Sequence, residues 1–156
     1  MKKIIEFNEF ESDIVYIQIP QDGFDTDDEA EIYNYESFFD IAYKLAKSSG
    51  LNILSDKNLK EVAYAKSIKD VIGALFISDS SDSFSFDIVV SPEYRRQGIA
   101  TKLVKSAISE YEWLKDVYGK NYKMKIDVVS SYMHDLLLKF KFKSQKIADN
   151  RWIMSK

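Results

Sequence analysis

Cysteine is absent from this chain of 156 residues, and histidine occurs once, at position 134. The first absence removes disulfides, thiolate nucleophiles and thiolate metal sites, and agrees with a reducing compartment. The second leaves no histidine cluster within one chain, so no metal is expected. Glycine is scarce, with five in all, and those five are too scattered for a Walker loop or a dinucleotide fingerprint. No apolar run approaches the ~20 residues of a membrane span. The start, Met1-Lys2-Lys3-Ile4-Ile5-Glu6, meets an acid too early for a secretory leader. The expectation is a cytoplasmic protein with no membrane partner.

A large excess of either charge is also missing: 22 Lys and Arg stand against 25 Asp and Glu, a net charge of -3. That balance argues against a general nucleic-acid binder and suits a cationic substrate better. The length fits one domain, 1–156, and a chain of this size buries roughly 68–70% of its unfolded surface. The 46% hydrophobic content supplies the core. Oligomeric state is open between monomer and homodimer.

What the chain does have is one informative stretch, Phe84 to Trp113. Phe84, Phe86, Ile88 and Val90 alternate with Ser85, Asp87 and Val89, the period-two pattern of a half-buried strand. Pro92 ends the ladder because it has no amide hydrogen to donate. From Gly98 onward, Ala100, Leu103, Val104, Ala107, Ile108, Tyr111 and Leu114 recur at helical spacing, with lysines, serines and glutamates between them. The junction Arg95-Arg96-Gln97-Gly98-Ile99-Ala100 therefore puts free backbone amides at a helix N-terminus beside two guanidinium groups. Such an arrangement binds phosphate oxygens. Gly98 lets a pyrophosphate approach the backbone, and Ala100 intrudes little on the same path.

This stretch resembles the acetyl-coenzyme A signature of the GNAT superfamily of N-acetyltransferases: arginine or glutamine, two residues, glycine, one residue, then glycine or alanine. Arg95, Gly98 and Ala100 fill its three fixed positions, and Val90-Ser91-Pro92-Glu93-Tyr94 resembles the family's strand end and loop. The resemblance runs from about Glu61 to the C-terminus and is weaker before it. It implies a mixed α/β fold, with a mostly antiparallel sheet flanked by helices and a central splay between two parallel strands. It also implies acetyl-CoA as cosubstrate. Backbone groups of Ile88, Val89 and Val90 would hold pantetheine and the thioester carbonyl. Amides from Arg95, Arg96, Gln97, Gly98, Ile99, Ala100 and Thr101 would hold the phosphates.

Elsewhere the chain reads as single elements in series. Lys2 to Phe7 is a short lead-in and Asp13 to Pro20 a strand. The acidic segment Gln21 to Glu31 lacks the ordered ligand spacing of a calcium loop. It is read as a solvated loop or helix start, with attraction of a cation as the sharper alternative. Glu36 to Ser49 is a helix with Gly50 at its C-cap. Tyr33, Tyr35, Phe38, Phe39 and Tyr43 either line a lid over the acceptor, as the resemblance implies, or pack the helix on the sheet. Asn58 or Leu59 to Ser67 and Val71 to Ile77 form consecutive strands, with Gly73-Ala74 suiting close backbone packing. Met124 to Val128 is a strand, Tyr132 to Phe140 a helix, and Phe142–Ser144 with Trp152–Ser155 a terminal hairpin. Lys139, Lys141 and Lys143 alternate with Phe140 and Phe142 like a solvated strand face.

The second half departs from the family's pattern. Aligned on Phe142, Ser130 takes the place of the usual asparagine, Leu136-Leu137 that of leucine-tyrosine and Lys141 that of glycine. Leu137 cannot donate a proton, so Tyr132 or His134 would substitute as the acid. For the base, Asp87 and Asp127 are the acids on the two strands expected to splay, and a solvent-facing role is the plainer reading of each. The function this supports is transfer of acetyl from acetyl-CoA to a primary amine of a small molecule or protein, by direct attack in a ternary complex. Two alternatives are a catalytically silent CoA-binding regulatory domain and a protein-interaction module.

Overall fold

The computed structural model describes residues 13–20, 29–51 and 57–156, with side chains described from 36 onward in the first helix. Seven strands, β1 (Ile14–Gln18), β2 (Asn58–Ala65), β3 (Asp70–Asp79), β4 (Ser83–Val90), β5 (Lys123–Val128), β6 (Lys143–Ala148) and β7 (Arg151–Ser155), form one sheet in the order β1-β2-β3-β4-β5-β7-β6. The sheet is mostly antiparallel, and β4–β5 is its parallel pair, registering Ser83 with Lys123 and Phe84 with Met124 at the starts of the two strands. Three α-helices accompany it among the described residues: α1 (Glu29–Ser48), α2 (Ile99–Tyr118) and α3 (Ser131–Lys139). None of the described helices is long and apolar enough to cross a membrane. The fold is the GNAT-type mixed α/β arrangement expected from the sequence.

The chain forms two compact units. One takes the described residues up to Phe76 together with Ile88–Leu103; the other is Ile77–Asp87 with Val104–Lys156.

In the first unit, Ile19, Leu59, Val62, Val71, Ala74, Phe76 and Val89 form a core with Ala42 and Ala46 of α1. Phe38 and Tyr43 pack against that core, Phe38 tilted on Tyr64 and Tyr43 edge-on to Phe76. Burial also raises the pKa of the Tyr43 phenol. Phe39 is exposed and stacks on Tyr43. Core packing thus absorbs Phe38 and Tyr43, while Tyr33 and Tyr35 lie outside the described side chains. Helix α1 starts at Glu29, earlier than the apolar spacing suggests. Its first turn carries the acids Glu29 and Glu31, a composition that favours a helix N-terminus although it carries no apolar period. It ends at Gly50 (φ +80): the amide of Gly50 donates to the Lys47 carbonyl and that of Leu51 to the Ala46 carbonyl. These are the two bonds of a Schellman cap, and Leu51 folds back onto the core. Lys2–Phe7 and most of the acidic segment, 21–28, lie outside the described residues.

In the second unit, Phe84, Phe86, Tyr111, Tyr122, Met124, Leu137 and Met154 are all buried. Tyr111 stacks on Tyr122, whose hydroxyl donates to the Ser83 carbonyl at 3.0 Å. The lysine alternation at 139–143 is not a strand. Lys139 closes α3, Phe140 caps it and Lys141 turns left-handed (φ 67); only Lys143 enters β6. A five-residue alternation is too short to separate a strand from a helix end.

Candidate functional site

In the first unit, β4 delivers the chain into a one-turn 3-10 helix, Pro92–Tyr94, and then into a loop that is exposed from Arg95 to Gly98. Two consecutive features bend that loop: Arg96 is left-handed (φ 66) and Gly98 is left-handed (φ +81). Glycine adopts that conformation readily, whereas arginine does so at a cost. Helix α2 then begins. Its first intrahelical bond runs from the Lys102 amide to the Gly98 carbonyl at 3.0 Å, so the amides of Ile99, Ala100 and Thr101 have no carbonyl one turn back in the helix. A Cβ built on Gly98 would meet nothing within 4 Å, so the backbone is open on that side. An exposed loop with two guanidinium groups and a helix N-terminus is a set of donors suited to a pyrophosphate.

The small residues differ in what they serve. Ala100 is buried in the apolar stripe of α2, so its size answers to packing. Of the strand residues singled out for pantetheine, Val89 belongs to the core while Ile88 and Val90 are half-buried.

The second unit holds the remaining singled-out residues. Asp87 is half-buried on β4. Asp127, on β5, is gripped by Arg151, whose Nε donates to Oδ1 at 3.2 Å and whose second terminal nitrogen donates to Oδ2 at 2.7 Å. These hydrogen bonds, helped by the charge of Arg151, hold the Asp127 carboxyl below its ordinary pKa although burial opposes them. Ser130 caps α3, its Oγ accepting from the Met133 amide at 3.3 Å. Tyr132 is exposed. His134 is held on three sides: it stacks on Trp152 at 4.4 Å, its Nδ1 lies 3.1 Å from Oδ1 of Asp135 and its Nε2 lies 2.9 Å from Oγ of Ser144. Leu137 is completely buried. Lys141 turns left-handed (φ 67), a conformation glycine adopts more readily. Among the described residues no cluster of His, Asp and Glu is placed to hold a metal.

Sequence reasoning missed Glu61. On β2 it is the one buried charged side chain among the described residues. Its Oε2 accepts from Nε2 of Gln18 at 2.7 Å and lies 3.5 Å from Nζ of Lys102. The signal was present: Leu59, Glu61, Ala63 and Ala65 share one face of the strand, and an acid in an otherwise apolar row is out of pattern.

Solved structures resemble this fold at low sequence identity. Ard1 from Thermoplasma volcanium matches with a TM-score of 0.60 at 11% identity, over 92% of this chain and 97% of that one. The ribosomal-protein-S18-alanine N-acetyltransferase from Escherichia coli matches at 0.53 and 14%, over 91% and 92%. Arabidopsis thaliana Naa50, in complex with the bisubstrate analogue CoA-Ac-MVNAL, matches at 0.52 and 12%, over 92% and 98%. No curated protein matches the sequence. Residues 18–141, most of the chain and all of the loop and helix start described above, match the acetyltransferase (GNAT) family, to which this chain therefore belongs.

Proposed function

We propose that this chain is an acetyl-CoA-dependent N-acetyltransferase acting on a primary amine, and that its two units work as one domain. The family match crosses both units, and β3, β4 and α2 each run from one into the other. The observation that carries the reading is the left-handed loop at Arg96 and Gly98 leading into the open amides of Ile99, Ala100 and Thr101. A non-glycine residue kept at positive φ is a cost that a functional site tolerates, and here that residue is Arg96, in the loop proposed to hold the phosphates.

Acetyl-CoA, when bound, supplies an activated acetyl thioester. Arg95 and Arg96 would neutralise its phosphates, the amides from Gln97 to Thr101 would hold their oxygens, and the backbone of Ile88, Val89 and Val90 would align pantetheine. With no cysteine to carry the acetyl group, the amine attacks directly once it has lost a proton. Asp87 or Asp127 would accept that proton, directly or through water; Asp127 does so only in competition with its partner Arg151. Tyr132 or His134 would return a proton to the departing thiolate. The acidic residues of 21–31 would draw a cationic amine toward the site, an effect that weakens as salt screens them. The acceptor class spans small-molecule amines, protein lysines and protein N-termini.

One observation favours a second reading. The position aligned with the family's tyrosine is Leu137, buried and without a titratable proton, which suits a domain that binds CoA without turnover. A screen of amines and peptides monitored by free-thiol release from acetyl-CoA tests the first reading, and calorimetry with CoA supports either. Gly98→Glu is expected to abolish CoA binding in a folded protein; unchanged affinity would remove the phosphate assignment, whereas a wild-type chain that does not bind CoA would remove both readings.

A further inference from the structure

Glu61 is buried, yet only one of its oxygens has partners. Oε2 takes the Gln18 amide at 2.7 Å and stands 3.5 Å from the Lys102 ammonium, while Oε1 is buried with no hydrogen-bond partner among the described residues. Stability is a poor explanation for such a group. A buried carboxylate loses its hydration, and a half-satisfied one recovers little of that loss through a single long ion pair. The more informative question is what the pair holds in place.

Lys102 is the residue whose amide makes the first hydrogen bond of α2. Its ammonium lies over the ring of Tyr16 on β1, 4.8 Å from the centroid, and faces Glu61 on β2. Tyr16 and Gln18 sit opposite Ala63 and Glu61 in the β1–β2 register, so all four side chains share one sheet face. Burial, and then the charge of Glu61, raises the pKa of the Tyr16 phenol. One turn earlier, the same helix end is held a second time. A Cβ on Gly73 would come within 2.9 Å of Cγ2 of Ile99, so the glycine is what lets the first residue of α2 close onto β3. Ile99 and Lys102 are three residues apart and therefore lie on one face of the helix. The first turn of α2, which carries the open amides, is thus fixed to three strands at two points.

We infer that Glu61 and Lys102 are positioning residues for the phosphate cradle: the buried carboxylate grips Lys102 and so aims the amides of Gly98 to Thr101 before the coenzyme arrives. The inference rests on the proposed coenzyme site. Preorganised donors bind more tightly than donors that must be ordered on binding.

Calorimetry with CoA on Lys102→Met, Glu61→Gln and the double variant tests it, with circular dichroism to confirm folding. Each single variant is expected to bind CoA roughly tenfold more weakly, and the double variant no more weakly than either single one, because both remove the same grip. Lys102→Arg, which keeps the charge, is expected to recover most of the affinity. Folded variants with lower melting temperatures and unchanged CoA affinity would overturn the inference, leaving the pair a packing feature only. Additive losses in the double variant, or no recovery with arginine, would overturn it too, since two residues that act through one shared charge contact would show neither. A wild-type chain that does not bind CoA at all removes the coenzyme site itself and this inference with it, an outcome distinct from the others.

Discussion

Arg151 takes both oxygens of Asp127, at 3.2 and 2.7 Å, across the β5–β7 pair. Both side chains are about half exposed, at 51% and 48%, so water and salt screen the pair and its removal is expected to cost little stability. The hydrogen bonds lower the Asp127 pKa. The stability they contribute is therefore present above the ordinary carboxylate range and is lost as pH falls through the lowered value. Carboxylate titration by NMR should find Asp127 ionising below the ordinary aspartate range, and Arg151→Ala should return it to that range. If turnover falls sharply in Asp127→Asn while that titration is as described, Asp127 acts in the reaction despite its partner.

Tyr122 responds at the other end of the scale. Burial first, then the charges of Asp79 and its neighbours, push its phenol up to about 12. An unfolded tyrosine ionises near 10. The contribution of Tyr122 is thus fully present below about pH 10 and is lost as pH rises through about 12. Ultraviolet titration should show one tyrosine that ionises together with the loss of far-ultraviolet dichroism. Tyr122→Phe should remove that component, and it leaves the Ser83 carbonyl without this donor.

Gly73 and Gly98 should fail on substitution for different reasons. At Gly98 alanine meets no atoms but must adopt φ +81, a cost of about 1–2 kcal/mol. At Gly73 alanine would press on Ile99 at 2.9 Å, and overpacking of this kind costs typically 1–3 kcal/mol. Chemical denaturation gives both values. The distinguishing result is Ile99→Ala, which removes Cγ2 and should partly rescue Gly73→Ala while leaving the strain of Gly98→Ala in place.

Leu137→Tyr places a larger side chain with a hydroxyl where the structure leaves no exposure. A loss of roughly 1–3 kcal/mol is expected from overpacking, read as a lower denaturation midpoint at constant slope. A variant as stable as the wild type would mean that this part of α3 accommodates the ring, and turnover measured on it would then separate the active from the silent reading.

Local patterning carried most of the fold. The strand at Phe84–Val90 and the helical stripe from Ala100 to Leu114 appear as β4 and α2; every stripe residue is buried except the half-buried Ile108, whereas in β4 the buried alternation holds at Phe84 and Phe86 and then passes to Val89, leaving Ile88 and Val90 half-buried. Gly50 closes its helix, because a left-handed cap is written in one residue. The phosphate loop was legible for the same reason: glycine, two arginines and a helix start lie within a few positions of one another. β6 (Lys143–Ala148) is exposed at every position, so no buried apolar face repeated along it and the strand was underestimated. What tertiary structure alone decided are the pairings between residues distant in sequence. Arg151 meets Asp127 across 24 residues, Lys102 meets Glu61 across 41, and Ser144 meets His134 across 10. A carboxylate's chemistry depends on what the fold sets against it, and neither spacing nor composition contains the sheet register that brings such partners within hydrogen-bond reach.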